Sequence, residues 1–282
     1  MVRSVPGKHR RVPAGLATVS GMSEYTGHVD PQGAPATREL PDITITKLSV
    51  GPMDNNTYLL VCRHTGDGLL IDAANDNQRI SDLLGDGPDR PRLRSIVTTH
   101  SHFDHWQALG ALAGQTGANL YAGAADAAEL PVPTDVPLDQ GDTVPLGDCT
   151  LEVVALRGHT PGSVALLYRD PTGHPHLFTG DSLFPGGPGK TVTPQNFSSL
   201  MDDLENRVFG VLPDDTWVYP GHGDDTTLGV ERPHLAEWRA RGWRRRSVAL
   251  VGSGCWQRMP ANCIDGYRRS RDRESRGNRH KP

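Results

Sequence analysis

His100-Ser101-His102-Phe103-Asp104-His105 follows directly on the apolar run Ser95-Ile96-Val97-Thr98-Thr99. A strand that ends in this hexapeptide presents four nitrogen and oxygen donors, His100, His102, Asp104 and His105, at the mouth of a sheet. Two cations can share such a cluster, and a metal pair points to hydrolysis by a metal-activated water. The hexapeptide alone closes neither site, so further ligands have to come from elsewhere in the chain.

Three other segments end an apolar run in the same way. Leu156-Arg157-Gly158-His159-Thr160-Pro161-Gly162 places His159 in a tight turn after a strand. Phe178-Thr179-Gly180-Asp181-Ser182-Leu183-Phe184 does so for Asp181, and Val218-Tyr219-Pro220-Gly221-His222-Gly223 for His222. Gly or Pro stands beside each candidate, so the chain turns sharply and the side chain can approach a metal uncrowded. The other histidines, His9, His28, His64, His174, His176, His234 and His280, lack this context and read as surface or packed residues.

Around these motifs the text alternates as strands do. Ile43–Leu48, Thr57–Cys62 and Gly68–Asp72 are separated by polar turns and predict an antiparallel beginning. A helix is expected from Asp104 to about Gln115, then a short strand at Leu120–Ala122. Gly147-Asp148 and Asp170-Pro171-Thr172-Gly173 mark two hairpins, Asn196 is expected to cap a helix running to Phe209, and Thr216–Tyr219 reads as a last strand. Two strand-rich halves with helices imply sheets packed face to face with helices outside.

In order and wording these motifs resemble the metallo-β-lactamase superfamily, over roughly residues 42 to 235. The resemblance implies an α/β (α+β) chain folded as a four-layer αββα sandwich, with metals at one edge between the sheets. It implies that His100, His102 and His159 hold a first metal, that Asp104, His105 and His222 hold a second, and that Asp181 bridges them. The bridging Asp181, with Thr179–Phe184, Pro220–Gly223 and the Gly-rich Pro185–Thr191 loop, resembles compact glyoxalase II-like (hydroxyacylglutathione hydrolase-like) proteins.

That resemblance implies a binuclear metal-dependent hydrolase that cleaves a small-molecule thioester by attack of a metal-bridging hydroxide. Two divalent ions, zinc first, are expected, although imidazole and carboxylate suit iron and manganese as well. Asp104 would serve both as ligand and as catalytic orienter of the hydroxide. Lys190 is a candidate for binding a substrate carboxylate, against the plain reading of a solvated loop lysine; Phe184, with Phe103 and Trp106, is a candidate pocket wall. The helical C-terminal region with which glyoxalase II enzymes contact glutathione has no counterpart in the 60 residues after His222, so the thiol carrier stays open. Persulfide dioxygenases, with one iron on two histidines and an aspartate, are the alternative. Lactonases and other ester hydrolases of the same fold are a further one.

Composition bounds the rest. No apolar run among the 282 residues approaches the ~18 needed to span a bilayer, and no good signal peptide stands at the N-terminus, so a cytoplasmic protein without membrane contact is expected. None of the 4 cysteines forms a C-x-x-C pair, which speaks against a disulfide framework or cysteine zinc site. From Arg244 onward 11 Arg and Lys face 3 Asp and Glu, a net +8 that leaves −12 on the remainder. An acidic catalytic part disfavours nucleic acid as a partner. Residues 1–41, rich in Gly, Pro, Ser and Thr, read as a disordered leader within which Met22 could be the natural start; 42–243 read as the catalytic domain and 244–282 as a basic, disordered tail.

Overall fold

Period-two alternation places successive residues of most strands in different cores. In Ile43–Val50, Ile43 and Ile45 enter one buried cluster, whereas Leu48 and Val50 enter another; in Asn55–Cys62 the same split separates Tyr58 and Leu60 from Leu59. The computed structural model describes residues 25–87 and 90–243. Its first seven strands, β1 (Ala36–Glu39), β2 (Ile43–Val50), β3 (Asn55–Cys62), β4 (Asp67–Ile71), β5 (Arg92–Thr98), β6 (Asn119–Gly123) and β7 (Val136–Leu138), form one sheet in chain order. Pairing is antiparallel from β1 to β4 and parallel from β4 to β7.

The second half supplies β8 (Thr143–Leu146), β9 (Cys149–Ala155), β10 (Val164–Arg169) and β11 (Pro175–Gly180). The small hairpin β12 (Leu183–Phe184) and β13 (Gly187–Pro188) follows, then β14 (Trp217–Pro220) and β15 (Thr226–Thr227). Six of these make a second sheet in the order β15-β14-β11-β10-β9-β8, in which β11 and β14 run parallel. Helices α1 (Asn77–Leu84) and α2 (Leu109–Thr116) belong to the first half, and α3 (Pro194–Asp203), α4 (Leu228–Glu231) and α5 (Leu235–Arg241) to the second.

Three hydrophobic clusters fill the spaces between four layers. The central one joins the facing sheets through Ile43, Leu60, Ile71, Val153, Leu166 and Phe178. A second packs Ala165, Leu167 and Leu177 of the other sheet face against Leu200, Leu204 and Trp238. The third packs Leu59, Leu70 and Ile96 against Ile80 of α1 and Leu109 and Leu112 of α2. This is the αββα sandwich that the sequence implied.

Several expectations need correction. Residues 25–41 belong to the fold: β1 pairs with β2 from Ala36↔Lys47 to Glu39↔Thr44, and Arg79 donates to the carbonyls of Gln32 and Gly33. The rest of the expected leader and the tail from 244 lie outside the described residues. The helix expected from Asp104 is split into a single tight turn, Phe103–His105, and α2, because Gln107 and Ala108 give their N–H groups to Ala74 and Ala73 instead of continuing a helix. The cap of α3 is Thr193 rather than Asn196: its hydroxyl accepts the Asn196 N–H, with Pro194 in the first helical position. Cys62 and Cys149 are free thiols, and no helix among the described residues is long and apolar enough to cross a membrane.

Candidate metal centre

Each candidate ligand follows the carboxyl end of a strand. His100 comes after β5, His159 after β9, Asp181 after β11 and His222 after β14, so two sheets deliver their chain turns to one edge of the sandwich. The tight turn at Phe103–His105 then swings Asp104 and His105 inward, where both are buried, while Phe103 stays 54% exposed. Close approach of the last loop depends on Gly221: a Cβ there would lie 2.3 Å from Asp181 Oδ1 and 2.8 Å from His105 Cε1.

The donor atoms of three sets lie within 4.8 Å of one another: His100, His102 and His159; His100, His105 and Asp181; and Asp104, His105 and His222. His100 Nε2 lies 3.2 Å from His102 Nδ1. Asp104 Oδ2 lies 3.6 Å from His105 Nε2 and 3.3 Å from His222 Nε2. Asp181 stands between the sets, with Oδ2 3.5 Å from His159 Nε2 and Oδ1 3.5 Å from His105 Nε2.

The rings are aimed by partners on their other nitrogen. His105 Nδ1 donates to Asp72 Oδ2 at 2.8 Å, His159 Nδ1 to the Lys190 carbonyl at 2.7 Å, and His222 Nδ1 to the Met53 carbonyl at 3.1 Å. Thr99 Oγ1 gives its proton to Asp72 Oδ2 at 2.8 Å and accepts from His100 Nδ1 at 3.1 Å. All four imidazoles therefore turn Nε2 to the centre. Asn55 Nδ2 donates to Asp104 Oδ2 at 3.0 Å.

Electrostatics divides the cluster in two. Burial, then the neighbouring imidazoles, hold His100 well below the usual histidine range, and the same causes bring His102 down to about 4; His159 is lowered by burial against the pull of Asp181. On the other side burial would lower His105, but Asp181 and Asp72 more than reverse it and push it up to about 9. Burial is likewise outweighed at His222, which Asp181 and Asp104 raise. Asp104 and Asp181 are held below the usual carboxylate range despite burial, chiefly by His222 and His105.

A cation fits this donor set. His159 Nε2 and Asp181 Oδ1 are buried without a hydrogen-bond partner and face the cluster, an arrangement that is costly unless a cation meets them. Nitrogen and carboxylate donors at a buried, acidic strand edge suit divalent ions.

Of the other sequence candidates, Lys190 is exposed on the segment after β13, and Phe184 is partly buried on β12. Trp106 donates to the Ser101 carbonyl and packs against the α1–α2 core, so it is a packing residue rather than a pocket wall. Sequence reading passed over Asp72, Asn55 and Asp126. Asp72 also ends an apolar run and adopts φ +58°, so the rule that found the ligands extends to it. Asn55 shows only as a polar interruption at the head of a strand, and Asp126 carries no local signal.

The sequence model described as the Metallo-beta-lactamase superfamily matches residues 50–222. A protein of Fuscovulum blasticum named hydroxyacylglutathione hydrolase is 35% identical over 171 residues, covering 60% of this chain and 62% of that protein. The chain thus spans less than two thirds of that relative. Among solved structures, ETHE1 from Myxococcus xanthus superposes with a TM-score of 0.56 at 32% identity, covering 68% of this chain and 82% of that one. The B3 metallo-beta-lactamase BLEG-1 gives 0.59 at 26% identity, with 69% and 99% covered. With the motifs, the four layers and the strand-edge cluster in agreement, the chain belongs to the metallo-β-lactamase superfamily and is glyoxalase II-like within it.

Proposed function

We propose that this protein is a binuclear metal-dependent hydrolase that cleaves a small-molecule thioester. The carrying observation is the convergence of His100, His102 and His159 as one donor set and Asp104, His105 and His222 as another, linked by a third of His100, His105 and Asp181. In this reading the first three histidines would hold one ion, Asp104, His105 and His222 would hold the other, and Asp181 would serve both. The similarity to a hydroxyacylglutathione hydrolase supports the thioester as substrate class.

A pair of divalent ions, zinc in the first instance, supplies a water acidic enough to act as nucleophile near neutral pH and Lewis acidity for the carbonyl oxygen. The chain's own residues do the positioning. Asp72, Thr99, Lys190 O and Met53 O fix the ring orientations of His105, His100, His159 and His222. Asp104, kept ionised and oriented by Asn55, is placed to accept a hydrogen bond from the attacking water. A thiol leaves as thiolate, so no general acid has to be found among the site residues. Lys190 would meet a negative group on the substrate with its exposed ammonium, while its carbonyl holds His159.

The competing reading, a single iron serving an oxygen-dependent reaction, leaves Asp104, His105 and His222 without a task. Metal-defined protein run on S-lactoyl thioesters, lactones, phosphodiesters and β-lactams separates the cases. Two metals per chain and preferential thioester turnover are expected. Two metals with no thioester turnover would remove the substrate assignment; one iron with oxygen consumption and sulfite formation would remove the hydrolase.

A further inference from the structure

The His100–His102 loop and the His159 loop come from different sheets, yet a single buried side chain joins them. Asp126, in the loop after β6, is 1% exposed. Its Oδ2 accepts the Ser101 N–H at 2.8 Å and the Thr160 hydroxyl at 2.5 Å, and its Oδ1 accepts the Gly162 N–H at 2.7 Å. Ser101 stands between His100 and His102, and Thr160 directly follows His159. The three donors are neutral groups, so they fix the carboxylate by hydrogen-bond geometry rather than by pairing it with a cation.

The surroundings are built around this link. Thr160 Oγ1 lies 2.6 Å from Ser163 Oγ, and the Thr160 N–H donates to Ser163 Oγ at 3.1 Å. At the base of both loops the Val164 N–H donates to the Thr99 carbonyl at 2.9 Å. Gly123, which accepts the Asp126 N–H on its carbonyl, passes so close to the His159 loop that a Cβ there would lie 1.9 Å from the Gly162 oxygen. Any side chain at 123 would drive Asp126 and the His159 loop apart.

We propose that Asp126 is the positioning residue of the His100, His102 and His159 set: it fixes the separation of the two loops, and thereby the affinity of that set for a metal, without touching a ligand ring. The proposal rests on the two-metal reading above. Braces on the other set, Met53 O and Asn55, lie at the turn into β3 and make no hydrogen bond with Asp126.

Cobalt(II) titration of the full chain, followed by visible absorption against a competing chelator, tests it. Single variants His159→Ala and His222→Ala assign the two spectral components to their sets. In Asp126→Asn, which sets an amide donor against donors, the His159 component is expected to weaken by about 10–100-fold and change its spectrum. The His222 component should stay as in wild type. A folded Asp126→Asn with wild-type affinity and spectrum at the His159 set overturns the proposal, and so does equal weakening of both sets. If Asp126→Asn does not fold, Thr160→Val removes one of the three donors, and an unchanged His159 component in it overturns the proposal equally. Wild-type protein that binds no cobalt would overturn the two-metal reading itself, a result distinct from either.

Discussion

His105 and His176 are both fully buried imidazoles, and their neighbours drive them in opposite directions. Asp181 and Asp72 overcome burial at His105 and raise it, whereas burial, then His174 and Arg38, bring His176 down to about 3. His176 bonds Tyr219 Oη through Nδ1 at 2.9 Å, and its buried Nε2 has no partner, so it is neutral in the folded protein. The unfolded chain takes up a proton there as pH falls through about 6.5, and the folded chain does not. Its contribution is therefore fully present above that pH and is lost progressively as pH falls towards about 3. In His176→Gln the slope of stability against pH between about 6 and 4 should be shallower than wild type by about 1.4 kcal/mol per pH unit. Urea unfolding at a series of pH values measures this, and parallel slopes would refute the assignment. At this scale the residues that converge on the cluster were legible because their segments end apolar runs. Their braces were not, since Asp126 and Asn55 acquire a role only from residues distant in sequence.

At the scale of elements, strand and hairpin positions were readable because a half-buried strand must alternate. Helix starts were less so. Asn196 and Thr193 both carry cap chemistry, and the two form one unit: Thr193 Oγ1 accepts the Asn196 N–H at 3.1 Å and the Asn196 amide donates to the Gly158 carbonyl at 3.2 Å. The sequence pointed to Asn196, but the helix starts at Pro194, so the Thr193 hydroxyl caps it and Asn196 lies in its first turn. Thr193→Ala should cost about 1 kcal/mol of stability, read from the denaturant midpoint at unchanged slope. The apolar spacing of 104–115 is helical, while the hydrogen bonds that interrupt the helix go to Ala73 and Ala74, just after the neighbouring strand β4.

Across the whole molecule, one fully buried ion pair ties the sheets' shared edge to the chain before β1. Lys47 Nζ donates to the carbonyls of Gly27 and Gly223 and to Asp225 Oδ1, each at 2.7 Å, and Asp225 Oδ2 accepts from Tyr25 Oη at 2.6 Å and Trp217 Nε1 at 2.9 Å. Removing one partner of such a pair strands a buried charge. Lys47→Met should lower unfolding free energy by about 3–5 kcal/mol. Lys47→Met with Asp225→Asn should lie closer to wild type, as a denaturation comparison of the two would show; a single variant no less stable than the double would contradict this. Residues 25–41 looked like a leader because their composition is that of loops, and only the Lys47 cluster and β1 pairing reveal that they are folded. The sequence by itself pointed to the layered sheets and to the candidate ligands at the strand ends, since alternation and the sharp Gly and Pro turns are local and survive in one dimension. Tertiary structure alone decided which carboxylates and carbonyls brace the histidines and that residues 25–41 pack on the sheets, because those depend on distances between segments far apart in the chain.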